Sequence, residues 1–224
     1  MTMKLFALSR SLLLMLLSLI GISHESAAQA DPAAKATLQK VTDTYKGYKT
    51  IGAEFSLRVH QPQQSDEYTE SGTIVLDIAT GRYRITTSAQ DIISDGKNQW
   101  TILKEEREVQ ITEVDPSAET ITPATIFSFY EKGYKYVSAN DERVGSTQLT
   151  VVELSPEDRQ TPYFKIKLRI NKSSNLIHDI TIFDKSGVKY VYSIKNTKSN
   201  PPLTPTTFTV KNSDYPGMEF VDLR

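Results

Sequence analysis

From Ile51 onward the chain is written largely in period two, and that rhythm restricts what it can fold into. Ile51, Ala53, Phe55, Leu57 and Val59 alternate with Gly52, Glu54, Ser56, Arg58 and His60. Successive side chains of an extended strand point to opposite faces, so the pattern describes a strand with one buried and one solvated face. It returns at Tyr68, Glu70, Gly72, Ile74, Leu76 and Ile78, and again at Tyr83 and Ile85. In residues 165–170, three cations (Lys165, Lys167, Arg169) take one face and three aliphatics (Ile166, Leu168, Ile170) the other. Turn formers punctuate these runs, among them Gly81, Asp95-Gly96 and Asp184-Lys185-Ser186-Gly187. Eight to eleven antiparallel strands joined in sequence are expected to curl into a barrel or half-barrel, with a last strand around residues 208–210.

Two segments break the rhythm. Asp31-Pro32 reads as a helix N-cap followed by a first-turn proline, and Leu38, Val41 and Tyr45 then recur at helical spacing. The stripe is narrow, which predicts a helix lying across the outside of a sheet. The second interruption is residues 122–130, where Thr122-Pro123 fits a cap and first-turn proline before Ile126, Phe127, Phe129 and Tyr130. That short helix is apolar on most of its faces. An outer-membrane barrel is the rival geometry, and both interruptions argue against it.

The first thirty residues read as a secretory signal. Lys4 and Arg10 form a basic start, residues 11–22 are mainly apolar, and small residues offer cleavage after Ala28 or Ala30. About a dozen apolar residues are too few to span roughly 30 Å of hydrocarbon. Residues 1–28 are therefore expected to be removed, leaving residues 29–224 as a single domain. The chain has no cysteine. It therefore lacks the lipid attachment site of a bacterial lipoprotein, disulfides and thiolate chemistry, and a released periplasmic protein is expected. Near-neutral charge gives no sign of nucleic-acid binding.

Catalytic chemistry is equally sparse. His60 and His178, the histidines of the mature chain, are far apart, and no metal motif, nucleophile elbow or phosphate loop is present. Ser94-x-x-Lys97, Ser173-x-Asn175 and Lys185-Ser186-Gly187 imitate the order of the penicillin-binding-protein motifs. That chemistry needs Ser and Lys one helical turn apart, whereas Asp95-Gly96 marks a hairpin turn between Ser94 and Lys97. We expect no enzyme, no cofactor and no metal.

The wording of that hairpin carries more. Ser94-Asp95-Gly96-Lys97, followed by the chain's single tryptophan at Trp100, resembles the central hairpin of the periplasmic outer-membrane lipoprotein carrier (LolA) family. The resemblance runs from Tyr45 to Val59, through Ser71-Gly72-Thr73-Ile74 and Tyr83-Arg84-Ile85. Residues 123–130 stand where the family has a lid helix, and residues 208–210 and 215–222 resemble its closing strands. The resemblance implies an α+β, mainly β fold, an unclosed antiparallel barrel with an N-terminal helix and a short helical lid over an apolar cavity. It implies acylated lipoproteins as cargo, an inner-membrane lipoprotein-releasing ABC transporter as donor, an outer-membrane acceptor, and a monomer.

On this resemblance the cavity wall is expected from Phe55, Leu57, Val59, Ile74, Leu76, Tyr83, Ile85, Trp100 and Ile102. The lid is expected from Ile126, Phe127, Phe129 and Tyr130. A family arginine that ties lid to barrel is replaced here by Ala79, with Arg82 and Arg84 as the nearest substitutes. Two alternatives share the fold: a sensor of mislocalised lipoprotein, and a carrier of another amphiphile such as a glycolipid.

Overall fold

A computed structural model describes residues 31–64, 67–114, 121 and 125–224. The signal segment and the Thr122-Pro123 helix start lie outside them. Helix α1 (Pro32–Lys46) opens as its sequence dictates. Asp31 Oδ1 accepts from the Ala33 and Ala34 amides at 2.8 and 3.3 Å, satisfying N–H groups that a helix start otherwise leaves orphaned.

Among the described residues twelve strands follow: β1 (Thr50–His60), β2 (Tyr68–Asp77), β3 (Arg82–Thr87), β4 (Gln90–Ser94), β5 (Asn98–Leu103), β6 (Glu108–Glu113), β7 (Tyr134–Val144), β8 (Thr147–Pro156), β9 (Tyr163–Asn171), β10 (Ile177–Asp184), β11 (Lys189–Ser199) and β12 (Glu219–Asp222). They form one sheet in the order β12-β6-β5-β4-β3-β2-β1-β11-β10-β9-β8-β7. All pairings are antiparallel except β12 with β6, which is parallel. The terminal strands β12 and β7 do not pair with each other, so the barrel stays unclosed.

Register divides the sheet into two faces. Ile51, Ala53 and Phe55 stand opposite Leu76, Ile74 and Gly72 on β2, which continue to Tyr83, Ile85 and Thr87 on β3. On the other side Phe55 and Leu57 pair with Ile194 and Tyr192, and Tyr192 with Ile180, Leu168 and Val152 in turn. This inner face and the buried side of α1 form one core, with Leu38, Val41 and Tyr45 among Ile51, Leu76, Leu168 and Ile180. Helix α1 thus packs on the inner face and not across the outside. The curled sheet surrounds the narrow stripe, and Tyr45 Oη accepts from the Ile177 amide at 3.1 Å.

The alternation of β9 is realised in full. Ile166, Leu168 and Ile170 are buried, each stabilising by about 1.5–3 kcal/mol. Lys165, Lys167 and Arg169 meet Glu153, Glu142 and Asp179 on the outer face.

The carboxy-terminal segment departs from expectation. Residues 208–210 are not a strand, and the last strand is β12. Pro201, Pro202 and Pro205 lack the amide donors a ladder needs, so this stretch crosses the sheet instead of joining it. Val210, Tyr215, Met218 and Phe220 cover a second, smaller core on Ile93, Ile102 and Val109.

Candidate functional site

Chain connectivity explains why an apolar segment lies over the inner face. β6 sits next to one end of the sheet and β7 forms the other end, so the connection between them must traverse the opening of the half-barrel. Over its described part this connection is a turn at residues 125–128 followed by a 3-10 helix, Phe129–Glu131. Thr125, Ile126 and the aromatic side chains are poor helix formers, and they point in several directions, which suits a lid better than a regular helix.

Phe127 and Tyr130 are buried, and the Phe127 ring lies 4.8 Å from that of Tyr45. Phe129 packs edge-on against Tyr130 and Tyr134. Lys46, the last residue of α1, reaches Glu131 at 3.1 Å.

Beneath this lid lies an apolar cavity of about 110 Å³, lined by Phe55, Ile74, Ile85, Ile121, Ile126, Phe127, Tyr192 and Ile194. Ile126 and Phe127 thus cover an apolar hollow on the inner face of the sheet.

Gly72 helps to make the hollow. It lies opposite Phe55, and a β-carbon there would meet the Phe55 ring at 3.0 Å and the Thr86 carbonyl oxygen at 2.4 Å.

The residues expected in the wall separate into four groups. Phe55, Ile74 and Ile85 line the cavity together with the lid residues Ile126 and Phe127. Leu76 and Tyr83 share that face but are closed core, and Tyr83 Oη donates to Gln99 Oε1 at 2.6 Å. Leu57 and Val59 extend the same face outward at half burial.

Trp100 and Ile102 must be corrected: they lie on the outer face. Trp100 stands opposite Ile93, which stands opposite Arg84, one residue out of phase with Tyr83 and Ile85. Both pack in the second core under the carboxy-terminal segment. The hairpin tip before them places four residues, 95–98, between the partners Ser94 and Gln99, with Gly96 at φ +92° and Asp95 Oδ1 accepting from the Lys97 and Asn98 amides. That count sets the parity of β5, and a one-residue change of phase exchanges the faces.

Tyr192, Ile194 and Ile121 were absent from the expected wall. Tyr190, Tyr192 and Ile194 do alternate along β11, but only the pairing of β11 with β1 puts Ile194 opposite Phe55 and Tyr192 opposite Leu57.

Arg82 and Arg84 do not substitute for the family's lid-binding arginine. Both occupy the outer face, where Arg82 pairs with Asp77 at 2.7 Å and lies 5.1 Å above the Phe208 ring. Arg84 Nε donates to the Thr207 carbonyl at 2.9 Å. Among the described residues, the cation that pairs with this connection is Lys46, through Glu131.

Among the described residues no group of His, Asp and Glu is arranged to hold a metal ion, and no helix is long and apolar enough to cross a membrane.

No curated protein sequence matches the chain. Solved structures do. An uncharacterized conserved protein from Thermus thermophilus is similar with a TM-score of 0.58 at 10% identity, covering 85% of this chain and 99% of that one. A LolA superfamily protein from Nitrosomonas europaea has a TM-score of 0.45 at 15% identity over 79% of this chain and 97% of its own. The lipoprotein LppX of Mycobacterium tuberculosis has a TM-score of 0.46 at 12% identity, covering 78% and 98%. At 10% identity the first of these likenesses shows fold alone. The profile of the outer membrane lipoprotein carrier protein LolA matches residues 46–211. With that match across most of the sheet and the lid, the chain belongs to the outer membrane lipoprotein carrier protein LolA family.

Proposed function

We propose that this protein is a periplasmic carrier that receives the acyl chains of lipoproteins in the cavity beneath its lid and carries them between the inner and outer membranes. The observation that supports this most directly is the apolar hollow between Phe55, Ile74, Ile85, Tyr192 and Ile194, closed by Ile126 and Phe127. Removing a sixteen-carbon chain from a bilayer costs on the order of 10 kcal/mol, at about 0.8 kcal/mol per methylene. A carrier must return that free energy through apolar contact and then give the chain up again. A lid held by a few aromatic contacts and one exposed ion pair meets both demands, because opening it enlarges the hollow without unfolding the sheet.

In this reading residues 1–28 are a signal peptide, residues 29–224 act as one carrier domain, the donor is an inner-membrane lipoprotein-releasing transporter, and the acceptor lies in the outer membrane. The test is uptake of N-phenyl-1-naphthylamine by the mature protein, together with mass spectrometry of the lipid or lipoprotein that copurifies. Binding that Phe127→Asp weakens more than it lowers the melting temperature supports the carrier. A wild-type protein that neither takes up the probe nor copurifies with an acylated molecule overturns it.

A further inference from the structure

Beyond the cavity, the inner face continues in two registered rows toward the open end of β1. The first is Glu70, Leu57 and Tyr192, on β2, β1 and β11 in turn. The next is Tyr68, Val59 and Tyr190 on the same three strands. Adjacent strands lie about 4.8 Å apart, so Glu70 and Tyr192 stand about 10 Å apart with Leu57 between them. Tyr192 and, in the preceding row, Phe55 line the cavity, so this carboxylate stands one row beyond Phe55 on the same face, toward the cavity's mouth.

Glu70 is half-buried and has no ion pair among the described residues. The internal segments outside them (65–66, 115–120 and 122–124) contain no Lys, Arg or His. The cations nearest in register are on the opposite face: Arg58 stands between Thr69 and Val191, and Lys189 lies over the Phe183 ring. The negative charge is felt by its phenolic neighbours. Glu70 pushes the Tyr68 phenol up, chiefly by its charge, and adds to the burial that raises Tyr192.

We propose that the Glu70 carboxylate and the Tyr68, Tyr190 and Tyr192 rings form a receptor for an ammonium group attached to the acylated ligand. A carboxylate without a cation beside an apolar hollow leaves one charge for the ligand to neutralise. Aromatic faces add cation–π attraction without demanding a fixed hydrogen-bond geometry. The same mouth disfavours a free fatty acid, whose carboxylate would face Glu70. Two ligands carry the required group: a diacylated lipoprotein with a free α-amino terminus, and an aminolipid headgroup.

This inference rests on the carrier reading and is tested beside it. Dodecanol, dodecanoate and dodecyltrimethylammonium are compared as displacers of N-phenyl-1-naphthylamine from the mature protein. The ammonium compound should displace the probe at about tenfold lower concentration than dodecanol, and dodecanoate should be the weakest. Glu70→Gln should bring the ammonium-to-alcohol ratio to about one, while Glu54→Gln on the outer face should keep it near tenfold.

A diacylglyceryl-cysteine lipopeptide with a free amino terminus, against its N-acetylated form, tests the first source. Lysophosphatidylethanolamine against lysophosphatidylglycerol tests the second. A preference for the amine in either pair supports the receptor and names its source. Equal displacement throughout, with dodecanol still effective, overturns the receptor and leaves the carrier standing. Failure of dodecanol to displace, or of the probe to bind, overturns both.

Discussion

Phe55 lies over Gly72, its partner across β1 and β2, where a β-carbon would come within 3.0 Å of the ring and 2.4 Å of the Thr86 carbonyl oxygen. The close approach lets one aromatic ring form the cavity floor where two side chains would otherwise meet. Gly72→Ala should therefore destabilise the protein by about 1–3 kcal/mol, since either backbone or ring must move. Urea unfolding measures the loss, and an unchanged midpoint would contradict the contact.

If the proposed lid opens, the ion pair that ties it to α1 is a weak latch. Lys46 is 62% exposed and Glu131 31%, so the pair contributes at most about 1 kcal/mol in water. Glu131→Gln should leave the melting temperature nearly unchanged and speed probe uptake by no more than about fivefold. Added salt should speed the wild type toward the variant, because exposed ion pairs are screened. Stopped-flow uptake at two ionic strengths is the measurement, and a salt-insensitive wild-type rate argues against a latch.

Trp100 offers a spectroscopic check on the two faces. It packs with Val210, Tyr215, Met218 and Phe220 behind the sheet. Saturating the cavity with dodecanol should leave its emission maximum where it was. Removing residues 215–224 should shift that maximum to the red as the ring becomes wet. A ligand-induced blue shift in the intact protein would place Trp100 in the cavity after all.

Asp31 joins the helix start to the edge strand, since its second oxygen accepts from the Ser138 amide at 2.7 Å. That bond, more than any other, holds its carboxyl down at about 2, against an ordinary value of 3.8. A depressed carboxylate contributes stability that is complete above its ordinary range and lost as pH falls through its folded value. Wild type should therefore lose stability relative to Asp31→Asn as pH falls from about 4 to about 2. Chemical unfolding at a series of pH values reads the difference, and parallel curves would exclude the contribution.

Local chemistry made much of this protein legible. Asp31-Pro32 starts α1 because a capping carboxylate and a proline suit the first turn. The alternating residues of β1 and β9 occupy the faces their period demands, because side-chain direction in a strand is a local property. Phe127 could be singled out for burial because so apolar a segment, interrupting a strand-rich chain, has to be covered by something.

Tertiary structure decided which face is which and what meets there. Trp100 lies behind the sheet and not in the cavity because parity depends on the number of residues in the turn at Gly96, and the four residues between the partners Ser94 and Gln99 put Trp100 opposite Ile93. Tyr192 and Ile194 joined the cavity because β11 pairs with β1 across more than a hundred residues of chain, a contact that no local pattern encodes. The lid covers the opening because β6 and β7 lie near opposite ends of one sheet and the chain must cross between them. Sequence by itself determined the strands, the helix and the residues that need burial. The fold decided where the hollow opens, because a cavity is made by side chains brought together from distant strands.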